Sequence, residues 1–283
     1  MTDDFIYYPD YEDPKFIEKI TRKKEFFIYN MQKETVDLTD PVEIDKHAIE
    51  ICRGDAMSQS TLQHHQAFSR NFFNPETPFK NGLVLKGTGT GKTRLGIAIG
   101  EEFKKYFMIM RDITGNSNFG RIFILSSKDA RENFFTELYL PEFGYMNHSE
   151  YKQYLEMREL VKSEKERQQL KAFVKPFQNK IKEYYKFLFY EKFKRDYKKI
   201  EHRNMDNTLI IIDEAHNIER NEYGDTIMHI RKQFKDVHII LMTATPMYHY
   251  AHEIVPVLNL ILPLDKQLKY EDIFVKKDVL KDG

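Results

Sequence analysis

Residues 83–103 read Leu-Val-Leu-Lys-Gly-Thr-Gly-Thr-Gly-Lys-Thr-Arg-Leu-Gly-Ile-Ala-Ile-Gly-Glu-Glu-Phe. An apolar run, Gly82-Leu-Val-Leu85, enters the glycines, and Leu95, Ile99 and Phe103 recur at four-residue steps after them. The first pattern suits a buried parallel strand, the second one apolar face of a helix. A glycine loop between a strand and a helix is the arrangement a phosphate cradle needs. Glycine lets backbone amides turn inward without a Cβ clash, and the helix terminus adds partial positive charge. Gly87, Thr88, Gly89, Thr90 and Gly91 form the predicted cradle. Lys92 is placed to reach the β- and γ-phosphates of a nucleotide, and the Thr93 hydroxyl to ligate Mg²⁺. The strict spacing puts a glycine where Lys86 stands, a mild departure, and Lys86 is kept in the nucleotide-binding set.

Outward from the loop, Arg121-Ile-Phe-Ile-Leu125, Leu209-Ile-Ile-Ile212 and Val237-His-Ile-Ile-Leu-Met242 are further strand candidates, with helical material between them. Strands alternating with helices predict an α/β fold with a mostly parallel sheet. A phosphate loop needs an acid at the end of a neighbouring strand, and Asp213-Glu214-Ala215-His216 supplies two. Asp213 sits where the strand runs out and is the expected Mg²⁺ ligand, through the metal's water shell. Glu214 follows, suited to orient or deprotonate an attacking water. Glu214, Asp213 and Lys92 are therefore the candidate catalytic residues. His216 either couples nucleotide state to other motifs or fills a satisfied polar site.

The 283 residues suffice for one large domain with extensions. Lys and Arg total 44 and Asp and Glu total 44, so any nucleic-acid surface must be a local patch. The single cysteine, Cys52, excludes an intrachain disulfide, and a reducing, intracellular compartment is the simplest reading. The first ten residues carry acids and no cationic side chain, unlike a secretory signal. The apolar stretch 254–264 is broken by Pro256, Asn259 and Pro263, so no membrane segment is expected.

Residues 1–55 read as an N-terminal extension, with a short helix or extended arm at 16–31 and a helix at 41–52 capped by Asp40. A helix at 62–73 ends at Asn74-Pro-Glu-Thr-Pro78. Residues 145–206 read as a strandless, helical insertion. Within 151–200, 15 Lys and Arg stand against 7 Asp and Glu, with aromatics interleaved. Nucleic-acid phosphate contacts are one use of such a stretch, and solvated helices with an aromatic core face are the other.

Gly-Thr-Gly-Lys-Thr at 89–93 and Asp-Glu-Ala-His at 213–216 resemble the motifs of DEAH-type superfamily 2 helicases and nucleic-acid-dependent ATPases. Leu62-Gln-His-His-Gln66 is similar to that family's L-x-x-x-Q element, which implies that Gln66 hydrogen-bonds adenine. Ile124-Leu-Ser-Ser-Lys128 resembles motif Ia and implies nucleic-acid contacts for Ser126, Ser127 and Lys128, though these residues fit the start of a helix equally well. Thr243-Ala-Thr-Pro246 resembles motif III, which implies that Thr243 and Thr245 couple hydrolysis to movement. The segments 74–83, 213–218 and 242–247 narrow the resemblance to helicases of large nucleocytoplasmic DNA viruses, which include the poxvirus early transcription factor small subunit and nucleoside triphosphatase I.

The resemblance covers most of residues 15–265. It implies a RecA-like P-loop domain at 56–265, ATP and Mg²⁺ as cofactors, DNA or RNA as partner, and host cytoplasm or virion as location. Motors of this kind pair two RecA-like domains, the second carrying arginine fingers. The sequence ends at Gly283, soon after motif III, so 266–283 read as a tail or the start of a linker. A second RecA-like domain or a partner protein is expected, and the chain alone is expected to bind ATP but turn it over feebly. Three activities fit: a helicase or translocase, a transcription or termination ATPase that moves without unwinding, and a non-hydrolysing nucleotide-binding half that docks on a partner.

Overall fold

Five parallel strands form one sheet: β1 Asn81–Leu85, β2 Arg121–Ser126, β3 Tyr185–Phe189, β4 Thr208–Asp213 and β5 His238–Thr243. Their spatial order is β1-β5-β4-β2-β3. The structure is a computed structural model that describes residues 7–27, 42, 62–87, 89–198, 205–217, 223–247 and 249–274. Its α-helices are α1 Phe16–Thr21, α2 Lys24–Phe27, α3 His64–Phe72, α4 Lys92–Thr114, α5 Lys128–Leu138, α6 His148–Glu159, α7 Glu164–Lys182, α8 Tyr190–Lys198, α9 Tyr223–Gln233, α10 Ile254–Asn259 and α11 Tyr270–Ile273. This is the RecA-like α/β arrangement that the sequence predicts. Among the described residues no helix is long and apolar enough to cross a membrane.

β4 and β5 are buried at every residue, as befits parallel strands covered on both faces. Alternation along each strand divides its side chains between two cores. Leu209, Ile211, Ile240 and Met242 meet Leu95, Ile99, Phe103 and Phe107 of α4 on one face. Ile210, Ile212, Ile239 and Leu241 meet Tyr223, Ile227 and Ile230 of α9 on the other. The register pairs Leu85 with Thr243 and Asp213 with Met242. β1, β4 and β5 therefore end at one level, and the residues that follow them converge there.

The stretch 145–206 departs from the expectation of helices alone. It holds α6, α7 and α8, but Tyr185–Phe189 forms the edge strand β3, paired in parallel with β2. Tyr185 and Phe187 pack toward the α4 core and Leu188 toward the α9 core. Apolar side chains needed on both faces of a short run favour a strand over a helix with one apolar face. Tyr185 Oη also donates to Glu101 Oε1 of α4 at 2.8 Å, and Tyr145 Oη donates to the same atom at 3.0 Å.

The N-terminal arm is helical at α1 and α2. It packs on α3 through aromatic rings: Phe26 lies 5.0 Å from Phe68, and Phe16 meets Phe72 edge-on at 6.4 Å. Asp40, Cys52 and the helix expected at 41–52, apart from Val42, lie outside the described residues.

Candidate active site

The loop between β1 and α4 is shaped by two glycines. Gly89 and Gly91 adopt φ of +76° and +77°, where an L side chain is strained. A Cβ at Gly91 would also lie 2.5 Å from Gln66 Nε2, so the loop presses against α3 there. The Thr90 hydroxyl closes the turn by donating to Gly87 O at 2.8 Å. Gly91 is the N-cap of α4 and provides no side-chain acceptor for the first amides of the helix. An uncapped helix terminus directed at a glycine loop is an anion site. Lys92 opens the helix and is buried; Thr93, next to it, is half-buried. Thr88 lies outside the described residues.

The acids stand beside this loop. Asp213 is the last residue of β4 and is 5% exposed. Its Oδ1 atom is buried without a hydrogen bond, and the Lys92 ammonium, 3.7 Å away, is an ion-pair partner rather than a donor. Burial pushes the Asp213 carboxyl up to about 6; Lys92 opposes this and the neighbouring Glu214 adds to it. Glu214 holds a φ of +48°, in the left-handed region, and its Oε1 accepts from the Lys92 ammonium. Asn217 N–H and its side-chain amide both donate to Glu214 O, at 3.0 and 3.1 Å, which fixes the turn.

Thr243, the last residue of β5, ties the site together. Its hydroxyl lies 2.7 Å from His216 Nδ1 and 3.4 Å from Glu214 Oε2. It accepts from Thr245 N–H at 3.1 Å, and its carbonyl accepts from Lys86 N–H at 3.1 Å. Lys92, Asp213, Glu214, His216, Thr243 and Thr245 thus form one contiguous network, joined to the first residue of the phosphate loop.

Gln66 is 3% exposed and faces the loop from α3. Its Oε1 accepts from Gln63 N–H at 3.0 Å and its Nε2 donates to Gly91 O at 3.1 Å. One N–H and one lone pair of the amide are uncommitted in those two bonds. A cavity of about 610 Å³ opens between α3, β1 and the loop, lined by His65, Phe68, Ser69, Lys86, Gly87 and Thr90 among others. In it the Lys86 ammonium meets His65 Nε2. Partial burial lowers the pKa of both groups, and the Lys86 charge lowers that of His65 further. No motif marks this contact; the strand–loop–helix reading of Lys86 gave no sign of a partner two elements away.

The β2 end divides the three residues matched to motif Ia. Ser126 is fully buried, and its hydroxyl donates to Ser127 O. Ser127 is the N-cap of α5, accepting from Ala130 N–H at 3.2 Å, and Lys128 is its first residue. Ser127 and Lys128 are exposed.

A protein-family profile described as Type III restriction enzyme, res subunit, matches residues 55–248. Two proteins of Acanthamoeba polyphaga mimivirus that bear the name Putative ATP-dependent RNA helicase are similar to the chain. One is 27% identical over 302 residues, covering 95% of this chain and 24% of that protein. The other is 31% identical over 223 residues, covering 77% and 35%. The Early transcription factor large subunit homolog of African swine fever virus is 25% identical over 346 residues, covering 90% and 30%. The chain spans about a quarter to a third of the length of these relatives.

Proposed function

The chain belongs to the family of the Type III restriction enzyme res subunit, a helicase-family ATP-dependent motor domain, and on that premise we propose that it binds Mg·ATP where β1, β4 and β5 end and couples hydrolysis to movement on DNA or RNA. The observation that carries this is the network running from Lys92 through Glu214 to Thr243 and His216. The residues fit the ligand. An uncapped α4 terminus with Lys92 suits a polyphosphate, and a buried Asp213 oxygen without a hydrogen bond suits a hard cation. Thr93 and Asp213 would hold Mg²⁺, which supplies charge neutralisation on the phosphates when bound.

Each role follows from contacts within the chain. Lys92 cannot give the same N–H to Glu214 and to a phosphate. When it turns to the phosphate, Glu214 gains the freedom to accept a proton from the attacking water as the bond to the terminal phosphoryl group breaks. His216 and Thr243 then register the change at Glu214 and pass it to Thr245 through the Thr243 hydroxyl. Gln66 has the spare donor and acceptor that adenine N7 and N6 require. Ser127 and Lys128, exposed at the start of α5 with Ser126 buried beneath them, are the proposed nucleic-acid contacts. A second RecA-like domain or partner protein completes the proposed motor, and without it turnover is expected to be slow. DEAH-type viral transcription is the proposed setting, in host cytoplasm or virion. A motor that moves without unwinding is the second reading, favoured by the relative named as an early transcription factor subunit.

The experiment is binding of a fluorescent ATP analogue to the wild-type chain and to Lys92→Ala, with phosphate release followed with and without single-stranded and duplex nucleic acid. The expected result is binding that Lys92→Ala abolishes and release that nucleic acid stimulates. Equal binding by the two proteins would remove the assignment of the loop. Stimulated release without strand separation would select the second reading.

A further inference from the structure

At the sheet edge opposite β1, a cleft of about 550 Å³ lies between the ends of α4 and α7, the second turn of α5, and β3. Five cations line it, Arg111, Arg121, Arg131, Lys182 and Lys186, against two carboxylates. One of those carboxylates, Glu132, is already paired with Arg131 at 2.9 Å. The cleft is therefore electropositive although the chain as a whole is neutral. Tyr184 and Phe187 bring aromatic rings into it, and Asn118 and Gln178 bring amides.

Two features argue for a built site. Arg111 is held rather than free to swing: its guanidinium donates to Phe119 O at 2.8 Å and Gly120 O at 3.0 Å and lies 4.4 Å over the Tyr184 ring. Residues 184–187 line the cavity consecutively. Tyr184 precedes β3 and the other three lie in it. Successive strand side chains point to opposite faces, so a cavity touching three strand residues in a row abuts the open edge of the strand, where an extended chain can enter. Its volume lies within the roughly 300–1,000 Å³ of ordinary ligand pockets.

We propose that this cleft is a second contact site for single-stranded nucleic acid, with phosphates against Arg121, Lys182 and Lys186 and a base against the Tyr184 and Phe187 rings. The proposal rests on the reading that the chain acts on nucleic acid. Cations beside aromatic rings are the pairing by which single strands are held without regard to sequence. An acidic peptide would satisfy the cations and leave the rings unused. The basic, aromatic-rich stretch 151–200 thereby gains a use that the phosphate loop and the acidic motif do not explain.

The test is anisotropy of a labelled oligo-dT or oligo-U with the purified chain, between about 50 and 200 mM salt. Arg121→Ala combined with Lys182→Ala should weaken binding about tenfold and reduce the slope of log affinity against log salt by about 1.4, or ~0.7 for each phosphate contact on a single strand. Lys182→Glu alone, at an exposed position, should reproduce part of the loss without endangering the fold. Both variants should bind the fluorescent ATP analogue as the wild type does. An oligonucleotide carrying photoreactive 4-thiouridine should crosslink to the peptide containing residues 184–187. An unchanged slope, or crosslinks confined to residues 126–128, would overturn the cleft and leave the motor reading intact. Binding of the ATP analogue without any oligonucleotide binding would overturn both the cleft and the nucleic-acid part of that reading. Poly-glutamate binding lost in the same variants, with oligonucleotide binding unaffected, would assign the cleft to peptides instead.

Discussion

At the amino ends of β1, β4 and β5, polar groups serve the backbone or one another. Asn81 Oδ1 accepts from Ile239 N–H at 2.9 Å, Asp206 Oδ1 accepts from Lys235 N–H at 2.7 Å, and Lys80 pairs with Asp236 at 2.5 Å. The residues with positive φ there, Asn207 and Asp236, are types that tolerate it. At the carboxyl ends, the same sheet holds Asp213 with a buried oxygen lacking a hydrogen bond, one ammonium shared by two carboxylates, and a glutamate at φ +48°. At the carboxyl ends a buried carboxylate oxygen goes without a hydrogen bond, and the residue held at positive φ is a glutamate, a type for which that conformation is uncommon. Such features persist where the surroundings over-determine them, and they support the ligand site proposed there. The difference teaches that position on a parallel sheet is not enough; the uncommitted groups distinguish the working end from the structural one.

The sharpest way to break that contrast is Glu214→Gln. It keeps the size of the side chain and an acceptor for Lys92 but removes the base. Phosphate release should fall by about 10²–10⁴, the usual worth of a positioned general base, while binding of the ATP analogue stays within a few-fold. Release that survives would show Glu214 to be structural, like its polar counterparts at the amino ends.

His238 tests the structural end. It is buried beside the Phe103 ring at 4.8 Å, and burial, helped by the Lys80 charge and opposed by Asp236, lowers its pKa to about 4. The unfolded chain, with an imidazole near 6.5, takes up the proton first. Stability that His238 contributes is therefore complete above pH 6.5 and is lost as pH falls from 6.5 to 4, by about 3 kcal/mol in all. His238→Leu should abolish this loss in denaturant titrations across that range. Asp213 acts with the opposite sign. Its folded pKa of about 6 lies above the unfolded 3.8, so its ionised form costs stability at neutral pH that is recovered as pH falls from about 6 toward 4. The two effects offset in wild type. Asp213→Asn should raise stability near pH 7 by about 2 kcal/mol, less than the full shift because Lys92 loses a partner, and should expose the acid sensitivity of His238. The same variant should lose Mg²⁺-dependent phosphate release. A variant no more stable than wild type would mean that Asp213 is better compensated than its geometry indicates.

The contrast also explains which parts were legible in the sequence. The glycine loop and Asp213-Glu214 are short contiguous runs placed by the strands beside them, so a local pattern sufficed, whereas Thr243-Ala-Thr245, also at a strand end, was marked by the resemblance. The unbroken apolar runs of β4 and β5 announced a doubly covered sheet for the same reason. β3 was hidden because Tyr185-Lys-Phe-Leu-Phe189 sits among lysines and aromatics that also suit an amphipathic helix. Only its burial from both faces, a property of the folded sheet, decides between them. The bonds of Tyr145 and Tyr185 to Glu101 join elements far apart in sequence, that of Lys86 to His65 depends on how α3 lies on the loop, and none leaves a periodic trace. Gln66 was found by resemblance, but its grip on Gly91 O was not, because that depends on how closely α3 approaches the loop.

The smallest effect is expected at the Lys80–Asp236 pair, whose side chains are 47% and 52% exposed. Water screens a pair so open, and exposed pairs are worth about 0–1 kcal/mol. Lys80→Met should therefore cost less than ~1 kcal/mol, and the cost should shrink further in high salt. Lys80 also helps to depress the His238 pKa, so its loss should let that imidazole titrate slightly closer to 6.5 and make the acid-induced loss of stability shallower. Binding of the ATP analogue should not change, because nothing in the Lys80 contacts reaches Lys92 or Glu214. A shift in nucleotide affinity in Lys80→Met would mean that the amino ends of β1 and β5 bias the loop through the length of the strands, and the division of labour between the two ends would fail.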